Sequence, residues 1–332
     1  MFLFASRRFA FLLAYCVATK TNAISATVEI VRPEDTPAME ESAVAPELPP
    51  VTSWLEVQIE LARRGFSGGS IDGLRGAQSV AALRAFQRGA GLEETGELDP
   101  ATKENLALSA PALTAHIITT EELSQLQVVG ATWLEKSGQP SLAYATALEG
   151  AAEQSHASPK LLKKLNPTID WDAIQSGTVI QMPAIEKVTL TNRATQLQIR
   201  LAAHELEATD ENGRVIAHFP VSIARNVEKR PVGELHVTVV IPDPNYTFDP
   251  EVFPESPEAQ ELGRKLIIQP GPNNPVGVAW IGLDRPGYGI HGTPEPEKVG
   301  RTESHGCFRL ANWDARTLLK LAWTGLPVLV EP

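Results

Sequence analysis

Residues 215–241 read VIAHFPVSIARNVEKRPVGELHVTVVI. Val, Ile and Phe dominate both ends, and the middle carries a turn signal, Pro231-Val232-Gly233. β-Branched and aromatic residues suit a pleated, half-buried surface. Short runs of them between Pro, Gly and Asn predict strands at 215–217, 219–223 and 235–241. The pattern extends N-terminally through Leu197-Gln198-Ile199-Arg200 and Val188-Thr189-Leu190, with Asp210-Glu211-Asn212-Gly213 as an intervening turn. Several short, punctuated strands predict a mostly β domain, a β-sandwich or barrel-like fold, over 187–332. One helix is expected near its end, over 313–322, with Asn312 as N-cap.

Upstream the grammar is helical. Ser53 and Glu56 fit a capping box, and Val57 and Leu61 recur at helical spacing up to Gly65. The polar turn at 67–73 leads to a second helix through Val80, Leu83 and Phe86, and Asp99-Pro100 opens a third. A small all-α module therefore occupies 52–110. Residues 111–186 combine a helix-like stretch at 145–154, then Leu161-Leu162-Lys163-Lys164-Leu165-Asn166-Pro167, then Gly177-Thr178-Val179-Ile180-Gln181-Met182-Pro183. Residues 24–51 hold five prolines, many acids and few large apolar groups, and read as a flexible acidic linker.

At the start of the chain, Arg7 and Arg8 precede the apolar run FAFLLAYCVA at 9–18, and small residues follow to Ala23. This is the layout of a secretory signal peptide, 1–23, cut after Ala23. The run is too short to span a bilayer, so no stable membrane span is expected. Leu13-Ala14-Tyr15-Cys16 offers lipidation at Cys16 as a minor alternative, with Tyr15 standing where a small residue is wanted. A net charge of -11 argues against nucleic acid as a partner. Neither a P-loop nor a Rossmann-type G-x-G-x-x-G opening a helix is present, so no nucleotide cofactor is expected. The two cysteines, Cys16 and Cys307, become one if the signal is removed.

Two segments then carry the chemistry: Tyr288-Gly289-Ile290-His291-Gly292-Thr293 and Ser304-His305-Gly306-Cys307-Phe308-Arg309-Leu310. A thiol is only slightly ionised at neutral pH and needs an adjacent base to act as nucleophile. Imidazole titrates in the range to be that base. Gly306 permits backbone angles closed to other residues and could aim successive N–H groups at one oxyanion. On residue types alone three readings stay open. They are a cysteine acyl-transfer site, a zinc site built from His291, His305 and Cys307, and a buried cysteine with core histidines. The zinc reading lacks paired ligand spacings such as C-x-x-C.

Resemblances bear on these readings. Gly271-Pro272-Asn273-Asn274-Pro275-Val276-Gly277, the His291-Gly292-Thr293 block and the Ser304-to-Leu310 block closely resemble the L,D-transpeptidase catalytic domain. Pro244-Asn245-Tyr246-Thr247 matches another block, while Arg230 and Leu235 depart from the family's strand entry. The resemblance implies Cys307 as nucleophile, His291 as general base, His305 as a supporting residue and Gly306 and Cys307 N–H groups as oxyanion donors. It also leaves Arg309, Gly292 and Ser304 as candidate substrate contacts, with no metal and no cofactor. Val57-Gln58, Asp72-Gly73, Phe86-Gln87 and Thr95-Gly96 resemble a three-helix peptidoglycan-binding domain. The 111–186 segment looks like a degenerate LysM, a carbohydrate-binding fold of two helices and two strands. The implied partners are peptidoglycan stem peptides and glycan, with a wall-attached protein as an alternative acceptor, for an exported, periplasmic or envelope protein. The implied reaction is transfer of the third stem residue to an amine with loss of D-alanine. The alternatives are water as acceptor, giving a carboxypeptidase or endopeptidase, or a non-catalytic wall-binding protein.

Overall fold

The computed structural model describes residues 49–185, 193–252, 256–301 and 306–332. The expected signal peptide, the spacer as far as residue 48, the strand at 188–190, Ser304 and His305 lie outside them. All described residues belong to one compact unit, Glu47–Pro332.

Helix α1 (Trp54–Arg63) begins at the capping box expected from sequence: Glu56 N–H donates to Ser53 Oγ at 3.3 Å, and Ser53 N–H donates to Glu56 Oε2 at 2.9 Å. Helices α2 (Ala77–Gly89) and α3 (Pro100–Asn105) follow, the last capped by Asp99, which accepts from Thr102 N–H at 2.8 Å. Val57, Leu61, Leu83, Phe86 and Leu106 form their common core. The glutamines of the sequence motifs are buried clamps. Gln58 accepts from Gly73 N–H at 2.7 Å and donates to Asp72 at 2.9 Å. Gln87 accepts from Gly96 N–H at 2.8 Å and donates to Thr95 at 3.0 Å. Each amide thus satisfies the backbone of a turn whose glycine sits at positive φ.

The middle segment runs β1 (Leu113–Ile117), α4 (Thr120–Ser124), α5 (Trp133–Ser137), α6 (Ala147–Gln154), α7 (Pro159–Leu165) and β2 (Val179–Pro183). Strands β1 and β2 pair antiparallel, with Leu113 opposite Pro183. Asn166 at the end of α7 accepts from Gln181 N–H at 2.7 Å and donates to Gln181 O at 2.8 Å, so the two motifs of this segment lock together. The segment is fused to the first module rather than strung from it. Ile59 and Ala62 of α1 share a core with Leu162, Trp171 and Ile180. Arg63 donates to the carbonyls of Ala110, Pro111 and Ala184.

The C-terminal domain contains β3 (Gln196–Arg200), β4 (Glu205–Thr209), β5 (Val215–Pro220), β6 (Gly233–Pro242), β7 (Tyr246–Phe248), α8 (Pro257–Leu262), β8 (Leu266–Ile268), β9 (Ala279–Leu283), β10 (Gly289–His291), β11 (Phe308–Arg309), α9 (Asn312–Leu321) and β12 (Pro327–Glu331). The expected mostly β domain takes the form of one eight-stranded curled sheet, ordered β11-β10-β9-β6-β12-β3-β4-β5. Its two ends meet: Ser222, just past β5, exchanges backbone hydrogen bonds of 2.9 and 3.0 Å with Arg309 of β11. The curl encloses one core that includes Phe219, Ile281, Ile290 and Phe308 together with Leu318 and Leu321 of α9. Strands β7 and β8 form a separate hairpin. Phe248 of that hairpin stacks on Trp133 of α5 at 4.4 Å.

Two local expectations need correction. Helix α9 begins at Asn312 with Ala311 as N-cap, and the Asn312 side chain makes no cap. Its amide is used elsewhere, as described below. The strand expected at 219–223 ends at Pro220, because the chain beyond leaves β4 to pair with Arg309. Among the described residues, no helix is long and apolar enough to cross a membrane.

Docking of the first module against the sheet has a titratable component. Phe66 bridges His218, with Ser67 N–H donating to His218 O at 2.8 Å and His218 N–H donating to Gly65 O at 3.0 Å. Beside this bridge, Ser67 Oγ donates to the Asp314 carboxyl at 3.0 Å. Burial pushes Asp314 up to about 8, only partly offset by Ser67. An unfolded Asp ionises near pH 4. Between about 4 and 8 the unfolded chain therefore binds fewer protons at this site, and stability falls as pH rises. Asp314→Asn is expected to melt higher than the wild type at pH 8 and to lose less melting temperature between pH 5 and pH 8. Equal pH slopes for the two proteins would refute the assignment.

Candidate active site

His291 closes β10, and Cys307 immediately precedes β11. The two strands are parallel neighbours, with Ile290 opposite Phe308 and His291 opposite Arg309. Side chains alternate faces along a strand. Extending the register back one residue sets Cys307 beside Gly289, so that Cys307, Arg309 and His291 share one face of adjacent strands. Residues 16 apart in sequence become neighbours because β10 and β11 are brought side by side.

The electrostatics are specific. His291 is buried, 6% exposed, with its ring stacked on Trp280 at 5.7 Å. Its Nδ1 lies 2.6 Å from the Gly292 carbonyl oxygen. A carbonyl only accepts, so Nδ1 carries the hydrogen and Nε2 is left as the proton acceptor. Burial lowers His291 to about 4; the Gly292 hydrogen bond opposes this and the Arg309 charge adds to it. The ring is therefore neutral at pH 7. Cys307 is partly exposed, with Sγ 3.5 Å from the Gly287 carbonyl. Burial pushes its thiol up, while the Gly289 N–H and Arg309 pull it down. The resting pair is thus thiol and imidazole, an uncharged nucleophile beside an available base.

A second layer fixes the imidazole. Gly277, at φ +61°, and Gly292 both abut the Asn312 side chain: a Cβ would lie 2.0 Å from Asn312 Oδ1 at Gly277 and 2.3 Å at Gly292. Gly292, expected among substrate contacts, is buried here, and its carbonyl holds the His291 ring. Only glycine meets both the left-handed backbone and the close approach at 277. Gly277→Ala is expected to destabilise the fold by about 1–3 kcal/mol, read from denaturant midpoints. A midpoint equal to wild type would show that Asn312 yields.

The other expected residues fall as follows. A Cβ at Gly306 would meet no described atom within 4 Å. Thr293 is a buried turn residue, accepting from Glu295 N–H at 3.3 Å. Arg309 feels the charges of Glu295 and Cys307. Trp280, not singled out by sequence reasoning, and Tyr246, of the 244–247 motif, border a cleft of about 570 Å³ lined also by Pro244, Asn245, Thr247 and Val276. Tyr246 is pushed up to about 12, by burial and by the nearby Cys307 charge. The motif block at 244–247 and Val276 of the 271–277 block thus line the same cleft as the stacking partner of His291.

Elsewhere, Glu205, Glu207 and His218 lie close enough to share an ion. Arg200 donates to both carboxylates, at 2.9 and 2.7 Å, and Arg88 also pairs with Glu207. Guanidinium charge already occupies that cluster, which makes it an ion-pair network.

A thiol and a neutral imidazole on adjacent strands form an arrangement suited to acyl-transfer chemistry. Residues 194–330 match the YkuD family, the L,D-transpeptidase catalytic domain, and residues 52–106 match a peptidoglycan binding domain family. The chain therefore carries a YkuD-type L,D-transpeptidase catalytic domain behind a peptidoglycan-binding domain. A Bacillus licheniformis protein assigned by name to the L,D-transpeptidases, YkuD, is 25% identical over 186 residues, 56% of this chain and 93% of its own length. A Bacillus subtilis protein so assigned, YqjB, is 33% identical over 125 residues, 36% of this chain and 61% of its own length. The solved L,D-transpeptidase of Mycobacterium smegmatis is similar at 18% identity and a TM-score of 0.33, over 46% of this chain and 66% of that one.

Proposed function

We propose that this protein cross-links peptidoglycan by L,D-transpeptidation, with Cys307 as nucleophile and His291 as general base. The observation that carries the proposal is the strand register that sets Cys307 and a neutral, Nδ1-anchored His291 on one face. As the Cys307 sulfur attacks the carbonyl of the third stem residue, its proton passes to His291 Nε2. The oxyanion is held by backbone N–H groups at 305–307, where His305 is the supporting side chain. Collapse breaks the bond to the terminal D-alanine, whose nitrogen takes the proton from His291, and a thioester remains. An amine of a second stem then attacks the thioester and gives its proton to His291. The thiolate leaves and recovers that proton. Arg309, on the same face, would meet a stem carboxylate through a forked contact, with Ser304 as a further candidate contact.

The peptidoglycan-binding domain supports the same substrate. Fused to the catalytic sheet by the Phe66–His218 bridge, it would present wall polymer in a fixed orientation rather than through a flexible tether. The 111–186 segment, with antiparallel β1 and β2 and the helices α6 and α7, is consistent with a LysM-like origin. The family implies an envelope location, and the signal-like residues 1–23 support export to the periplasm.

The test is incubation with disaccharide tetrapeptide, followed by mass spectrometry. Loss of D-alanine, a Cys307 adduct and a dimeric product are expected. An adduct resolved only by water, even with an added amine, would replace transpeptidation with carboxypeptidase chemistry. No adduct on folded protein would refute the proposal.

A further inference from the structure

The middle segment packs against the catalytic domain close to its site. Glu153 and Glu149 lie one turn apart on one face of α6, and that face meets the catalytic domain. Asn312 Nδ2 donates to Glu153 Oε2 at 3.0 Å, and the Tyr144 hydroxyl donates to Glu153 Oε1 at 3.1 Å. The same Asn312 nitrogen donates to Pro272 O at 3.1 Å, and its Oδ1 accepts from Val278 N–H at 3.3 Å. That oxygen is the atom against which Gly277 and Gly292 are packed. The Gly292 carbonyl in turn holds Nδ1 of His291. The loop between is tied to the same segment: Asn273 Nδ2 donates to Ala143 O and to Glu149, and Leu142 exchanges backbone hydrogen bonds with Pro270 and Asn273. A Cβ at Gly271 would fall 2.2 Å from Leu142 O, so the two chains are in direct contact there.

An amide can rotate and exchange its N and O ends unless a partner fixes it. Val278 N–H demands the oxygen of Asn312, and Pro272 O and Glu153 Oε2 both demand its nitrogen. With these partners in place, the oxygen is aimed at the glycine pair behind the imidazole. We propose that Glu153 is a positioning residue, a side chain of the middle segment that holds His291 in its working orientation through Asn312 and Gly292. The segment is then part of the catalytic scaffold. The proposal rests on His291 acting as the base for Cys307.

The test compares the full-length wild type with Glu153→Met, which keeps volume but accepts no hydrogen, and Glu153→Gln. Glutamine can face its carbonyl to Asn312, because the Tyr144 hydroxyl can turn and accept from the other end. Glu153→Met is expected to lower kcat about tenfold or more, since small displacements of catalytic groups are costly, with KM within about twofold of wild type. Glu153→Gln is expected to restore kcat to within about threefold. The His291 Nδ1–H resonance should shift or broaden in the Met protein and return in the Gln protein. Wild-type kcat and resonance in Glu153→Met would overturn the proposal, as would equal loss in both variants. If Glu153→Met does not fold, Asn312→Asp carries the test by setting two carboxylates face to face. A displaced His291 resonance then supports the proposal, and an unmoved one overturns it. The resonance reads the brace whether or not the enzyme turns over. Failure of the catalytic reading would show instead as undiminished activity in Cys307→Ala.

Discussion

Cys307→Ala is expected to reduce cross-link formation by at least about 10⁴-fold, to the level left when a nucleophile is removed from an otherwise intact site. D-Alanine release and the mass adduct should vanish together, because every covalent step passes through the one sulfur. Folding should survive: the side chain is partly exposed and stands outside the main sheet core, so the melting temperature should stay close to wild type. The muropeptide assay measures both halves of this expectation. A variant that turns over within about tenfold of wild type would remove the thiol from the mechanism.

His291→Gln carries the second large effect, a fall in kcat of about 10²–10⁴-fold, the span that a positioned general base contributes. The pH behaviour follows from the direction of each shift. Burial holds His291 near 4, so the free base is available above that value and is lost as pH falls through it. Burial holds the thiol above its ordinary value, so little thiolate exists at pH 7. Alkylation of Cys307 by iodoacetamide should therefore accelerate continuously from pH 6 to beyond 8 in the wild type. A preformed thiolate–imidazolium pair would instead give fast, nearly flat alkylation across that range, and observing it would reverse the assignment of charge. In the Gln variant the acid limb near pH 4 should disappear from kcat/KM.

Parts of this molecule are written locally. The capping box at Ser53, the Asp99-Pro100 helix start and the Asp210–Gly213 turn each depend on residues within a few positions, and each forms as read. The alternating Leu197 and Ile199 of β3 and the Val- and Ile-rich runs of β5 and β6 are equally visible. By contrast β10 and β11 span three and two residues and carry glycine or follow it, too little for any periodic signal. They exist because neighbours in the sheet pair with them. Asn312 shows the same limit: next to a helix start its residue type reads as a cap, yet partners 34 and 159 positions away claim its amide. Trp280 looks like an ordinary strand aromatic until β9 and the β7 hairpin bring it to one cleft with Tyr246.

The amino-acid sequence alone determined which atoms are available for chemistry, the thiol of Cys307 and the imidazole of His291, and which stretches favour helix or strand, since both are properties of residues and their near neighbours. Only the tertiary structure decided that the two side chains share a face, that the imidazole is neutral with its Nδ1 held by the Gly292 carbonyl, and that Glu153 of a different segment stands behind it. Those depend on burial and on contacts between residues far apart in the chain, and such contacts are set when the sheet curls closed and the helical segments dock on it.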